Sequence, residues 1–119
     1  MDINEMMASI KANPDYGKAG MVLYHNGIVR NTSRDGRPVT GLRVRVDRQK
    51  LKEVVEKYRQ RPGIVEIRVE IAADRDLQVG DDVMLLAVAG NIRENVIATL
   101  SDTLNAIKAT VTGKTEFFT

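Results

Sequence analysis

The sequence has 119 residues, of which 43% are hydrophobic and 29% charged, and its formal net charge is +2. This length fits one domain with its own core, and the composition excludes an intrinsically disordered chain. The absence of cysteine excludes a disulfide framework, a thiolate metal site and a cysteine nucleophile. No apolar run is long enough to cross a membrane, and the N-terminal segment, with Asp2 and Glu5, does not resemble a secretory signal, so we expect a cytoplasmic protein.

The first predicted elements are a helix and two strands. Apolar residues at helical spacing predict a helix over residues 3–10. The run 21–30 is apolar at most positions, which predicts a central strand covered on both faces. A turn-forming loop over residues 31–38 follows, and residues 39–47 then alternate between apolar and polar. This pattern predicts a half-buried strand that forms a hairpin with the strand before it.

A helix and two further strands are predicted next. Asp47 is placed to cap a helix over residues 48–60, whose apolar side chains share one face. Alternation over residues 65–71 predicts another half-buried strand. The polar loop 73–82 leads into residues 83–89, a short and continuously apolar run that is typical of a buried strand.

The C-terminal part is predicted as one helix and one strand. Asn91 and Glu94 resemble a capping box for a helix that ends near Lys108. Its predicted buried stripe comprises Val96, Ile97, Leu100, Leu104 and Ile107. Residues 110–118 predict a final strand. The order α-β-β-α-β-β-α-β indicates a single α+β domain over residues 1–119, with a mixed or antiparallel sheet packed by helices.

Positive charge is concentrated in the first half of the chain. Residues 30–52 carry eight basic and two acidic side chains, a net charge of +6, whereas residues 62–102 have a net charge of −5. This asymmetry predicts that the first half faces an anionic ligand, although a solvated basic face explains the same pattern.

Six cations at the edges of predicted elements form the candidate site: Arg30, Arg34, Arg37, Arg93, Lys108 and Lys114. Arg93 lies in the first turn of the last helix, where its charge opposes the helix dipole unless an anion binds the free N–H groups there. Lys108 lies at the other end of that helix, where a lysine also simply complements the dipole.

The only histidine, His25, lies within an apolar strand and is predicted to be a core or interface residue. With no second histidine and no cysteine, we expect no transition-metal site and no cofactor. The acidic residues between 74 and 82 lack the spacing of a calcium loop and are predicted to be a solvated loop.

Several short motifs, in order along residues 20–118, resemble the large, catalytic subunit of molybdopterin synthase. They are Gly27-Ile28-Val29-Arg30 before a polar loop, Leu77-x-Val79-Gly80-Asp81 before an apolar strand, Arg93 and Lys108 at the two ends of a helix, and Lys114-Thr115-Glu116. The sequence departs from the family pattern at Ile92, where the family usually has histidine, and at residues 111–113, which replace its usual proline and tryptophan. The family's usual first strand and C-terminal tail are also expected to be absent.

The resemblance implies a sulfurtransferase of molybdenum or tungsten cofactor biosynthesis. Such subunits take sulfur from the thiocarboxylated Gly-Gly tail of a small ubiquitin-like carrier subunit and transfer it to a pterin phosphate, cyclic pyranopterin monophosphate, forming the dithiolene of molybdopterin. The implied assembly is a homodimer at the centre of a heterotetramer. Lys108 would then be the main catalytic lysine and Lys114 its partner, and the substrate-binding residues would be Arg30, Arg93, Arg34 and Arg37.

Two other functions are consistent with the same cations. The first is a non-catalytic module that binds a phosphate-bearing small molecule or a Gly-Gly-tailed carrier protein, which the departure at Ile92 favours. The second is binding of single-stranded nucleic acid. The basic strand over residues 39–47 has no aromatic residue for base stacking, so we expect no nucleic-acid partner.

Overall fold

The computed structural model describes residues 1–119, which form three helices and six strands. The helices are α1 (Ile3–Lys11), α2 (Arg48–Arg59) and α3 (Arg93–Ala106). The strands are β1 (Met21–Ile28), β2 (Val39–Val46), β3 (Ile64–Ile71), β4 (Asp76–Gln78), β5 (Asp82–Gly90) and β6 (Thr112–Phe118). The α+β class is confirmed, and the predicted order lacks only the short β4. No helix is both long and apolar enough to cross a bilayer.

The first sheet is antiparallel and has the strand order β1-β5-β3. Strand β5 lies at its centre and is buried from Met84 to Gly90, as the continuously apolar run predicts. The prediction that residues 21–30 form a central strand was wrong, because β1 lies at the edge of this sheet. Both faces of the sheet are covered, so β1 is apolar at odd and even positions although one of its edges has no neighbouring strand.

The second sheet is also antiparallel and has the order β4-β2-β6. The predicted hairpin of β1 with β2 was therefore wrong, since these two strands lie in different sheets. The loop between them closes on itself through a bridge from Thr32 to Pro38. The chain thus reverses direction within the loop, and β2 then pairs with β4 and β6 instead of β1.

The alternation of β5 divides the core into two layers. Met84, Leu86 and Val88 point into a main cluster that also includes residues of both sheets, α2 and α3. Leu85, Ala87 and Ala89 point the other way, into a smaller cluster with Met6 and Ile10 of α1. Helix α1 therefore covers one face of the first sheet, while α2, α3 and the second sheet cover the other.

A nearly buried carboxylate ties two helices to the edge strand β3. The side chain of Glu66 is only 10% exposed, although the alternation of the strand predicts a solvent-facing position. Its carboxylate lies 3.0 Å from Arg59 Nε of α2 and accepts hydrogen bonds from Asn13 Nδ2 at 3.2 Å and from the Ile67 amide at 2.9 Å. Because Asn13 follows α1, this one side chain connects the helices on opposite faces of the sheet.

The start of α3 differs from the predicted capping box. Ile92 is the N-cap residue, and no side chain caps the helix. Asn91 Oδ1 instead accepts hydrogen bonds from the Ile92 amide at 2.8 Å and from Asn95 Nδ2 at 3.0 Å. The first turn of α3 therefore has no side-chain acceptor for its free amide groups.

The buried face of α3 also differs from prediction at three positions. Ile97 is 47% exposed, whereas Thr99 and Thr103 are buried at 1% and 0%. The buried hydroxyl of Thr103 donates a hydrogen bond of 2.6 Å to the Thr99 carbonyl, four residues earlier, so its hydrogen-bonding capacity is satisfied within the helix. A hydroxyl satisfied by its own helix can lie in a core position that apolar periodicity does not identify.

Candidate functional site: a cationic pocket between the sheets

The seam between the two sheets contains a pocket with an apolar floor. Leu42 and Val44 of β2 line a cavity of about 350 Å³ together with Val83 and Met84 of β5. This cavity adjoins a second one of about 590 Å³, and the two share Arg34, Lys108 and Lys114 in their linings. The pocket is thus built from both sheets and opens towards basic side chains.

Four of the six predicted cations line this pocket: Arg30, Arg34, Lys108 and Lys114. The pairing of β2 with β6 explains the position of Lys114, which lies directly opposite Val44. Directly paired residues of antiparallel strands project to the same face of the sheet, so Lys114 and Val44 both face the pocket. The same register places Glu116 opposite Leu42, at the wider cavity.

Lys108 is presented by a single π-helical turn, Ile107–Val111, that joins α3 to β6. Ile107 and Val111 are buried at 0% and 4% and anchor the two ends of the turn in the main core. Thr110 Oγ1 donates a hydrogen bond of 2.8 Å to the Ala106 carbonyl across the turn. Such turns occur often at functional sites. Here the turn presents an exposed lysine from a segment whose two ends are buried in the core.

The positive charge of the pocket is poorly compensated. Neither Lys108 nor Arg34 has a carboxylate within ion-pair distance, and Lys114 Nζ lies 4.0 Å from Glu116 Oε1. Arg30 Nε donates a hydrogen bond of 2.9 Å to the Thr32 carbonyl, which fixes the start of its loop. No group of three or more His, Asp or Glu side chains is placed to hold a metal ion. The pocket is therefore suited to an anion.

His25 lines the same pocket, a position that was not predicted from the sequence. Burial lowers the pKa of its imidazole, and the positive charge of Lys108 lowers that pKa further. The alternation of β1 could have indicated this position, because Met21, Leu23 and His25 lie on one face of the strand. The imidazole therefore points to the same side as core residues and ends that row at the pocket.

Two predicted site residues lie outside this pocket. Arg93 begins α3 and Lys108 follows its end, so the 14-residue helix separates them by about 20 Å. The side chain of Arg93 is 75% exposed and lies 3.6 Å from Glu94. The Arg37 guanidinium stacks over Phe118, 3.7 Å from the ring centroid.

Comparisons with known proteins agree on one family and fold. The model of the MoaE protein family matches residues 1–110. Among solved structures, the chain is similar to molybdopterin cofactor biosynthesis protein E from Burkholderia multivorans ATCC 17616, with 21% identity, a TM-score of 0.78, and coverage of 100% of this chain and 82% of that chain. It is also similar to molybdopterin synthase from Staphylococcus aureus, with 21% identity, a TM-score of 0.73, and coverage of 86% and 77%.

A further similar structure is the protein–protein complex of subunits 1 and 2 of the molybdopterin-converting factor from Helicobacter pylori 26695. That likeness has 17% identity, a TM-score of 0.73, and coverage of 99% of this chain and 84% of that chain. At these identities the solved structures establish the fold. Among curated proteins, no sequence matches the chain.

Proposed function

The chain belongs to the MoaE protein family, and we propose that, within molybdenum cofactor biosynthesis, it catalyses sulfur transfer from a small thiocarboxylated carrier subunit to cyclic pyranopterin monophosphate. The observation that carries this proposal is the convergence of Arg30, Arg34, Lys108 and Lys114 on one pocket. These residues come from a loop, a π-helical turn and a strand that are distant in sequence.

The charge of the pocket matches both proposed substrates. The pterin phosphate and the carrier's thiocarboxylate are anionic, and arginine suits phosphate because its planar guanidinium donates paired hydrogen bonds. Arg30 and Arg34 therefore hold the phosphate in this proposal. Leu42 and Met84 give the pocket an apolar floor, so a ligand bound there displaces water, and a drier environment strengthens each of these electrostatic contacts.

Lys108 and Lys114 take the chemical roles in the proposed reaction. The carrier's sulfur first bonds to a side-chain carbon of the pterin and displaces the oxygen bound there, which leaves with its electron pair and takes a proton, so that a thioester joins the carrier to the pterin. Negative charge develops on the acyl oxygen when this thioester is attacked in the next step, and an ammonium group nearby stabilises that charge. Water then cleaves the acyl carbon–sulfur bond, so that the sulfur stays on the pterin and the carrier leaves as a carboxylate. Lys108 supplies the stabilising charge and a proton, and Lys114 supports it from the neighbouring strand.

The position of Arg93 bears on the proposed assembly. Since Arg93 lies about 20 Å along the helix axis from Lys108, it cannot hold a ligand in the pocket of its own chain. Its proposed role in phosphate binding requires a second copy of the chain to place the start of its α3 beside this pocket. We therefore propose a homodimer, with one carrier subunit bound to each chain in a heterotetramer.

The carrier's extended tail is proposed to enter beside Ile28. This residue ends β1, lines both cavities and leaves 55% of its surface exposed, the largest fraction among the exposed large apolar side chains. A Gly-Gly tail has no side chains beyond the backbone, so its backbone can approach Lys108 closely. The apolar surface of Ile28 would then contact the carrier near the mouth of the pocket.

The decisive experiment compares Lys108→Ala with Lys11→Ala in a transfer assay containing the thiocarboxylated carrier and cyclic pyranopterin monophosphate. Lys11 is an exposed lysine at the end of α1, outside the pocket, and serves as the matched control. Loss of one charge-stabilising group costs about 100-fold or more in rate, so we expect that loss in Lys108→Ala alone. Normal turnover by Lys108→Ala would remove this residue from the mechanism. Pterin binding by the wild-type chain without any product would favour the non-catalytic binding module.

A further inference from the structure

An imidazole occupies a position in β1 where the strand is otherwise apolar. Met21 and Leu23 precede His25 on the same face and pack against the main core. His25 itself lies opposite Leu86, which is fully buried. A Cβ atom on Gly27 would lie 3.4 Å from His25 Nε2, so the ring lies close over the glycine, with no side chain between them. His25 therefore ends the apolar row at the floor of the pocket.

The charged groups that surround His25 in the pocket are all cationic. Lys108 faces it from the π-helical turn, Lys114 from β6 and Arg34 from the loop before β2. Apart from Thr112 of β6, the other side chains that line the cavity are apolar: Ile28, Leu42, Val44, Val83 and Met84. No carboxylate lines this cavity; Glu116, which lines the adjoining one, lies 4.0 Å from Lys114 Nζ. The charges that line the cavity with His25 therefore disfavour a proton on the imidazole while the pocket is empty. Burial, followed by the charge of Lys108, lowers its pKa below the ordinary value of 6.5.

We propose that His25 is a further ligand-binding residue of this pocket, which is neutral while the pocket is empty and takes up a proton when an anion binds. A bound anion offsets the charge of Lys108 and accepts a hydrogen bond from the new imidazolium. Anion binding thereby adds one positive charge to the pocket. This inference rests on the anion binding that the proposed function requires, and it adds a proton to that binding step.

Proton uptake by His25 on anion binding makes the affinity for the anion depend on pH. The pKa of His25 is lowered in the empty pocket and raised when the anion is bound, so the protonated protein binds the anion more tightly. Affinity therefore increases as pH falls through the interval between the two pKa values, and it is constant above that interval. Each unit between the two pKa values corresponds to about a tenfold change in affinity.

The test uses the full chain and inorganic sulfate, an anion that keeps its charge between about pH 5 and 8, where histidine titrates. Because His25 is the only histidine, its ring proton resonances give its pKa by NMR without ambiguity. We expect saturating sulfate, at constant ionic strength, to raise this pKa by about one unit. An unchanged His25 titration at the highest sulfate concentration would overturn the proposal.

Two variants provide the matched comparison. His25→Gln keeps a polar side chain and His25→Phe extends the apolar row, and in both we expect sulfate affinity to be independent of pH. Persistence of the wild-type pH dependence in either folded variant would contradict the inference, and the wild-type titration decides the question if neither folds. The sulfur-transfer assay is separate: its failure would refute the proposed reaction, whereas the NMR titration and the pH dependence of the variants decide the role of His25.

Discussion

Replacing Glu66 should destabilise the fold far more than replacing its neighbour Glu70. Glu66 is nearly buried at the edge of the first sheet, where it contacts Arg59 of α2 and Asn13 after α1. Glu70 lies on the same strand four residues later, but it is exposed and makes no side-chain hydrogen bond or ion pair. The two glutamates therefore differ in environment while sharing their chemistry and their strand.

The expected loss follows from the contacts of the Glu66 carboxylate. It accepts hydrogen bonds from the Ile67 amide and from Asn13 Nδ2, and a hydrogen bond to a charged group is worth about 1.5–3 kcal/mol. The contact with Arg59 contributes less free energy than this. The arginine side chain is 38% exposed, and its Nε lies 3.0 Å from the carboxylate without the angle of a hydrogen bond. We expect Glu66→Ala to lower the free energy of unfolding by about 2–3 kcal/mol, and Glu66→Gln by about 1 kcal/mol.

Urea unfolding followed by circular dichroism measures this difference. With a slope of about 1–3 kcal/mol per molar urea, the midpoint of Glu66→Ala should fall by about 1–2 M. Glu70→Ala should change the free energy of unfolding by less than about 0.5 kcal/mol. Equal losses in the two variants would refute the idea that Glu66 joins the helices on the two faces of the sheet.

Two further predictions concern the second sheet and the pocket. A Cβ atom at Gly41 would overlap the backbone carbonyl of β4, so Gly41→Ala should cost more than about 2 kcal/mol in urea unfolding. Gly17→Ala, which meets open space, should change stability by less than about 0.5 kcal/mol, and similar losses in both would contradict the steric argument. Arg34→Ala should weaken sulfate binding about tenfold in calorimetry, since it removes a pocket cation. Arg37→Ala should leave that affinity within about twofold, because Arg37 stacks on an aromatic ring outside the pocket; the reverse order would exclude Arg34 as a ligand.

Sequence periodicity predicted the faces of the elements better than their neighbours. The helix predicted over residues 48–60 is found at Arg48–Arg59, with Asp47 as its cap, and the alternation of β2 correctly separates its buried and exposed side chains. The edge position of β1 was not predicted, because an apolar run reports that both faces are covered. It contains no information about which strands lie beside it.

The site shows the same division between local chemistry and topology. The cations were identified from the sequence because they stand at the ends of elements, where basic side chains are conspicuous. Their convergence depends on the ladder that joins residues 42–44 of β2 to residues 114–116 of β6, about seventy residues away. Arg93 and Arg37 were chosen by the same criterion, but Arg93 lies a helix length from Lys108, and the Arg37 guanidinium stacks on Phe118 and does not line the pocket. His25 was missed because an isolated histidine in an apolar strand resembles a core residue.

The seam that holds the pocket separates two sheets that no ladder of backbone hydrogen bonds connects. His25 stands on one sheet and Lys114 on the other. An anion held between them would act as a brace across the molecule, bridging two sheets that are otherwise joined by short loops and side-chain packing. Occupancy of the pocket would then stiffen the whole domain, and the empty protein would be the more compliant form.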